Sequence, residues 1–172
     1  FTYDEILGMV NKAYSRFDSD EVAPVVKLDD NLFVLELFHG PTYAFKDLAL
    51  TLLPYLLTAS KAKIGDGSST LILVATSGDT GKAALEGFKD VDKTKIMVFY
   101  PSDGVSDMQK LQMITQEGSN VEVVGIKGNF DDAQTAVKRV FTDPEVKEEL
   151  KKRNIELSSA NSINWGRLAP QI

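Results

Sequence analysis

From residue 67 onward the chain alternates between two hydrophobic periods. TLILVA (70–75), KIMVFY (95–100), NVEVVG (120–125) and IELSSA (155–160) are short runs with strand character. Between them lie longer segments whose apolar residues recur at helical spacing. Strands separated by helices cannot pair as tight hairpins, so each connection must cross over and return. Right-handed crossovers then build a parallel sheet with helices on its faces. The pattern predicts an α/β fold, a three-layer parallel-sheet domain over residues 67–172.

The helix signals are local. A helix follows TLILVA and runs to Phe88, and Ser106 with Gln109 caps another to about Glu117. Asn129 caps a third, with Ala133, Val137, Val140 and Phe141 on its inner face, and Pro144 suits the first position of EVKEELKKR. Residues 1–66 form a different kind of segment. Thr2 and Glu5 have capping-box spacing before a helix over 2–17. A loop rich in Asp and Pro leads to a strand over LFVLEL (32–37). A helix then starts near Phe45 with Leu48, Ala49, Leu52, Leu53, Leu56 and Leu57 inward, and Pro54 should kink or break it. KIGDGSST (63–70) is the expected boundary loop. SINWGRLAPQI at the end has the form of a further helix, which reads the chain as a piece of a longer protein.

Charge and composition narrow the function. The net charge of −6 has no basic stripe within it, which argues against nucleic-acid binding through phosphates. Without cysteine, disulfides and thiolate metal sites are excluded, and a lone histidine, His39, excludes multi-histidine metal sites. No apolar run reaches the ~18 residues of a membrane span, and no signal-peptide pattern opens the chain. A cytoplasmic setting fits, as would an organelle. His39 is read as satisfying a loop carbonyl in preference to lining a site.

Two segments carry chemistry. LVATSGDTGKAALEGF (73–88) is strand, small polar loop, helix. It is similar to a nucleotide-binding P-loop, but Thr76 stands where the first glycine belongs and Ala83 replaces the magnesium-binding hydroxyl. Gly78 and Gly81 form only G-x-x-G, so the dinucleotide fingerprint fails as well. What remains are backbone N–H groups with Ser and Thr hydroxyls at a helix N-terminus, where partial positive charge suits an anion. Taken alone, the loop reads equally as a capped turn with no ligand. In ELFHGPTYAFKDLAL (36–50), Lys46 falls in the first turn of a helix among Tyr43, Phe45 and Leu48. Lysine favours the last turn, away from the positive end of the dipole. A neutral amine is what Schiff-base chemistry requires. By position alone, a solvated lysine beside Asp47 is the commoner case.

HGPTYAFKD followed by ATSGDTGKAA, then FDDAQTAVK (130–138) and NSINWGR (161–167), resembles the threonine synthases among the fold-type-II pyridoxal-phosphate enzymes. The four motifs in this order cover most of the chain. The resemblance implies that Lys46 holds pyridoxal phosphate through its amine and moves protons at Cα and Cβ of the substrate. It implies that Asp79, where many relatives have Asn, faces the cofactor's phenolic oxygen and shares one proton with it. Ser77, Gly78 and Thr80 match the loop that receives the substrate carboxylate, and Asn161, Ser162 and Arg167 match the phosphate site. Trp165 is read as packing. KGNFDD (127–132) is read as a turn and helix cap, because the family's loop for the cofactor phosphate follows NSINWGR. The reaction implied turns O-phospho-L-homoserine and water into L-threonine and phosphate, with this chain alone expected to be inactive. A threonine-synthase-like phospholyase and a non-catalytic α/β anion-binding module are the alternatives. Oligomeric state is left open.

Overall fold

The computed structural model describes residues 1–172. Helix α1 (Tyr3–Tyr14) starts at a complete capping box between Thr2 and Glu5. It ends three residues before the expected Phe17, because Phe17 N–H turns back to the Tyr14 carbonyl and Asp18 N–H is drawn to the His39 carbonyl. Strands β1 (Val25–Asp29) and β2 (Leu32–Leu35) form an antiparallel hairpin with Val26 opposite Val34. The sequence reading placed only the second of them, since β1 lies in a stretch whose Asp and Pro content signals loop. The helix expected from Phe45 is two pieces, α2 (Asp47–Leu50) and α3 (Leu53–Lys63). Pro54 breaks it as proline must, and sits in the first turn of α3, where a missing N–H costs nothing.

The remainder follows the predicted alternation: β3 (Ser69–Ala75), α4 (Asp79–Phe88), β4 (Thr94–Pro101), α5 (Asp107–Ile114), β5 (Val121–Ile126), α6 (Phe130–Thr142), α7 (Pro144–Lys152) and β6 (Ile155–Ser158). Helix α5 stops short of Glu117: Thr115 N–H bonds the Leu111 carbonyl as the cap, and Gln116 N–H turns back to the Met113 carbonyl. Asn129 and Asp132 form a capping box on α6, with Gly128 before them at φ 136°, so KGNFDD is a turn and cap. A short helix α8 (Trp165–Leu168) and a 3₁₀ turn close the chain. Trp165 is exposed and not packed: α8 turns Arg167 inward, and residues two apart on a helix face nearly opposite ways.

The four-stranded parallel sheet has the order β5-β4-β3-β6, with Ile72 opposite both Ile96 and Ser158. The chain builds outward from β3 through β4 to β5, then returns to lay β6 on the other side of β3. Right-handed crossovers in opposite directions put α4 and α5 on one face and α6 and α7 on the other. One core joins Ile72, Val74, Ile96 and Val98 of the sheet to Ala84, Leu85 and Phe88 of α4, and takes in Leu50 and Leu53 from the N-terminal segment. Phe88, fully buried, is worth on the order of 2–3 kcal/mol in transfer free energy. A smaller cluster of Met9, Ala13 and Leu52 seats α1 on α3. No helix is long and apolar enough to cross a membrane.

Candidate active site at the strand ends

Strand order reverses between β3 and β6, which opens a crevice at their carboxyl ends where open α/β sheets bind ligands. Two loops border it, Thr76–Gly78 after β3 and Ser159–Asn164 after β6. In the first, Thr76 is buried and faces inward. Its Oγ1 accepts from Gly78 N–H at 3.1 Å and from Gly81 N–H at 3.0 Å. A Cβ on Gly81 would strike the Thr76 side chain, so glycine there is what lets the hydroxyl reach the α4 backbone. Of the donors expected from the sequence, Thr76 and the Gly78 N–H are therefore engaged within the turn. The N–H groups of Ser77, Asp79 and Thr80 have no hydrogen-bond partner in the chain and lie at the positive end of α4.

The lysine segment is locked from below. Asp47 is 1% exposed, and its carboxylate accepts from Thr42 N–H at 2.7 Å and Thr42 Oγ1 at 2.6 Å. Burial pushes the Asp47 carboxyl up, against the opposing pull of the two Thr42 hydrogen bonds. Gly40 has no room for a Cβ against Asp47, and Tyr43 takes a left-handed backbone (φ 60°) that folds Thr42 back over α2. Lys46 sits immediately before α2, one position earlier than the first turn in which its motif suggested it. Its Nζ donates to Asp79 Oδ2 at 2.8 Å and lies 4.5 Å from the centre of the Phe45 ring. The lysine side chain is 17% exposed and that of Asp79 55%. The expected apolar surroundings are thus only partial, since Tyr43 and Phe45 are exposed, and a carboxylate is the nearest partner of the amine.

On the other side of α4 lies a cleft of about 860 Å³ between the end of β3, helix α6 and the loop after β6. Thr80, Asn161, Ser162 and Arg167 all line it. Arg167 is 7% exposed; one terminal nitrogen donates to the Ala160 carbonyl at 2.5 Å, and its buried Nε has no partner. Burial lowers the Arg167 pKa, while the charge of Asp79 pulls it back up. Asn164 caps α8 at Gly166 N–H and donates to the Ser159 carbonyl, holding the loop that carries Asn161 and Ser162. The sequence-predicted residues therefore fall into two adjoining groups. Lys46 and Asp79 form one, Thr80, Asn161, Ser162 and Arg167 the other, with Ser77 and Gly78 in the turn that leads into α4.

Asp47, Gln134 and Lys138 were not singled out by sequence reasoning. The first was weighed only as a neighbour of Lys46; the other two line the cleft and lie within FDDAQTAVK, the motif to which no role was attached. His39 bonds two carboxylates, Asp18 Oδ1 at 2.5 Å and Glu36 Oε2 at 2.8 Å, so it is structural, though through side chains and not a loop carbonyl.

No family model matches the chain. It is 46% identical over 171 residues to threonine synthase-like 1 of Homo sapiens, covering 95% of this chain and 23% of that protein. It is 44% identical over 164 residues to the threonine synthase of Pseudomonas aeruginosa, covering 95% of this chain and 34% of that one. Among solved structures, the PLP-bound threonine synthase from Brucella melitensis superposes with a TM-score of 0.87 at 46% identity, over 98% of this chain and 35% of the other. The chain spans about a quarter to a third of the length of the relatives it matches.

Proposed function

The chain belongs with the threonine synthases, its homologues over 95–98% of its length, and from that premise we propose that it is part of a pyridoxal-phosphate-dependent carbon–oxygen lyase. The whole protein would convert O-phospho-L-homoserine and water to L-threonine and phosphate. The observation that supports this reading best is the Lys46–Asp79 pair at 2.8 Å, beside a cleft holding a buried arginine with an unpartnered Nε.

The residues present fit the cofactor. Lys46 would hold it through Nζ, Asp79 would face its phenolic oxygen, and the ammonium–carboxylate pair is already within proton-sharing distance. When bound, pyridoxal phosphate supplies the electron sink that lets a proton leave Cα. The chain's own residues do the rest. The substrate carboxylate falls on the turn from Ser77 to Thr80, where three N–H groups are free and Gly78 sets the bend. Lys46 Nζ removes protons from Cα and Cβ. Thr80, Asn161, Ser162 and Arg167 hold the phosphate as the Cγ–O bond breaks and carries its electron pair away. Water then adds at Cβ, and Lys46 returns two protons, one to Cγ, which becomes the methyl group, and one to Cα. Asp79 keeps one proton between itself and the phenolic oxygen.

A second reading is a phospholyase that releases phosphate without forming threonine, and the motifs of this chain serve it equally. Both readings share the same small phosphorylated amino acid. We place the activity in the cytoplasm, where a chain without cysteine loses nothing to reducing conditions. Because the chain spans a fraction of its relatives' length, activity is assigned to the whole protein, and this chain alone is expected to be inactive.

The test uses the full-length protein loaded with pyridoxal phosphate and given O-phospho-L-homoserine. Phosphate and threonine in equal amounts support the synthase. Phosphate with 2-oxobutyrate and ammonia supports the phospholyase. No turnover, with cofactor absorbance unchanged in Lys46→Ala, would leave the non-catalytic anion-binding module. The expected result is a Lys46→Ala protein without the absorbance band of the lysine-bound cofactor, and with turnover reduced by at least about a thousandfold, as for loss of a residue that both holds the cofactor and moves the proton.

A further inference from the structure

We propose that Lys138, braced by Gln134, is the second cation of the anion subsite whose first is Arg167, and that it makes the cleft selective for a dianionic phosphate ester. The chain carries 25 acidic against 19 basic residues, yet the lining of this cleft contains Lys138 and Arg167 and no carboxylate. Every neutral polar group around it, from Thr80, Gln134, Thr142, Ser159, Asn161, Ser162 and Asn164, belongs to a hydroxyl or an amide. A cleft of this composition in a chain of net charge −6 is the reverse of its surroundings.

The two cations are placed differently. Arg167 is buried, spends one nitrogen on the Ala160 carbonyl and keeps a buried Nε without a partner. Leaving a charged donor unpaired and desolvated is costly, and an anion in the cleft relieves that cost. Lys138 is exposed on α6 and makes no ion pair within the chain. Its Nζ donates to Gln134 Oε1 at 3.1 Å, one helical turn earlier; both residues line the cleft, and two of the three ammonium donors stay free. The two acidic residues nearest in sequence face helix N-termini and not this lysine: Asp143 accepts from Glu145 and Val146 N–H, and Asp132 closes the α6 capping box. One arginine balances one negative charge. A phosphate monoester at neutral pH carries nearly two, and Lys138 supplies the balance.

The choice of ester rests on the function proposed above; binding of a phosphate monoester to the cleft does not. The test therefore separates them. In the full-length protein, calorimetry with ethyl phosphate is run at pH 8 and pH 5, on either side of its second ionisation at about 6. KM and kcat with O-phospho-L-homoserine are measured alongside. Lys138→Ala is expected to weaken ethyl phosphate at pH 8 by roughly tenfold or more, the scale of one charge-assisted hydrogen bond, and to have much less effect at pH 5. KM should rise by a similar factor with kcat little changed, and Lys138→Arg should restore most of both. Lys138→Ala binding ethyl phosphate as tightly as wild type at pH 8, with Arg167→Ala losing it, would overturn the proposal, as would absence of binding by the wild type. Lys138-dependent binding without any turnover would leave this subsite standing and remove the proposed reaction.

Discussion

Single residues divide sharply between those whose task was legible in the chain and those whose task was not. Lys46, Asp79 and Arg167 were named from motifs, and the first two meet at 2.8 Å. Thr76 reads in sequence as a loop hydroxyl available to a ligand; the fold turns it inward to hold two backbone N–H groups. No sequence rule tells which of several neighbouring hydroxyls is used by the turn itself. His39 is a similar case, because its partners Asp18 and Glu36 are set by tertiary approach. With a carboxylate on each ring nitrogen, its pKa is raised above the ordinary value, first by Glu36 and then by Asp18. The linkage has a definite sign. The contribution is fully present below the unfolded value of about 6.5 and is lost as pH rises through the higher folded value. Melting temperatures of wild type and His39→Gln should therefore differ most near pH 6 and converge by about pH 9. A gap that stays constant across that range would mean the ion pairs contribute nothing to the fold.

At the level of elements, periodicity and caps located every helix and every strand of the parallel sheet, and missed β1. Strands β3 and β4 announce themselves because both faces are covered and the apolar run is continuous. Strand β1 has exposed positions almost throughout, so nothing in its pattern separates it from loop. Helix ends were misplaced where the backbone tightens into a three-residue turn, as at Phe17 and Gln116. The contact of α4 with α2 was also invisible, and it rests on one glycine. A Cβ on Gly87 would overlap the Leu50 carbonyl, which is backbone and cannot swing away. Gly87→Ala is expected to destabilise by about 2 kcal/mol or more, the scale of forced overpacking. Gly8, inside α1 with nothing within 4 Å of its would-be Cβ, provides the opposite sign. Gly8→Ala should stabilise by roughly 0.5–1 kcal/mol through helix propensity. Urea titrations of both variants against wild type check the pair, and equal shifts would contradict the packing assigned to Gly87.

For the molecule as a whole, the parallel architecture was legible and the position of the crevice followed from strand order, which the sequence leaves open. Four strands in chain order could be laid in several ways; only the return of β6 beside β3 brings NSINWGR next to SGDTG. The proposed division at residues 66 and 67 separates two kinds of architecture, but the hydrophobic core crosses it. Leu50 and Leu53 are buried in the same cluster as Ile72, Val74, Leu85 and Phe88, whereas α1 touches that body through the smaller cluster of Met9, Ala13 and Leu52. Cooperative units follow shared burial. Hydrogen exchange of this chain should therefore show the amides of α2 and the start of α3 opening together with β3 and β4. The β1–β2 hairpin, exposed along both strands, should exchange orders of magnitude faster, and α1 should fall between. If α2 instead exchanged with the hairpin while β3 and β4 stayed protected, the boundary at 66/67 would be a boundary in stability too. Lys46 would then stand on a segment able to move away from Asp79 without unfolding the sheet. Exchange of α2 with the sheet means that the amine and the strand-end loop are held in register by one core.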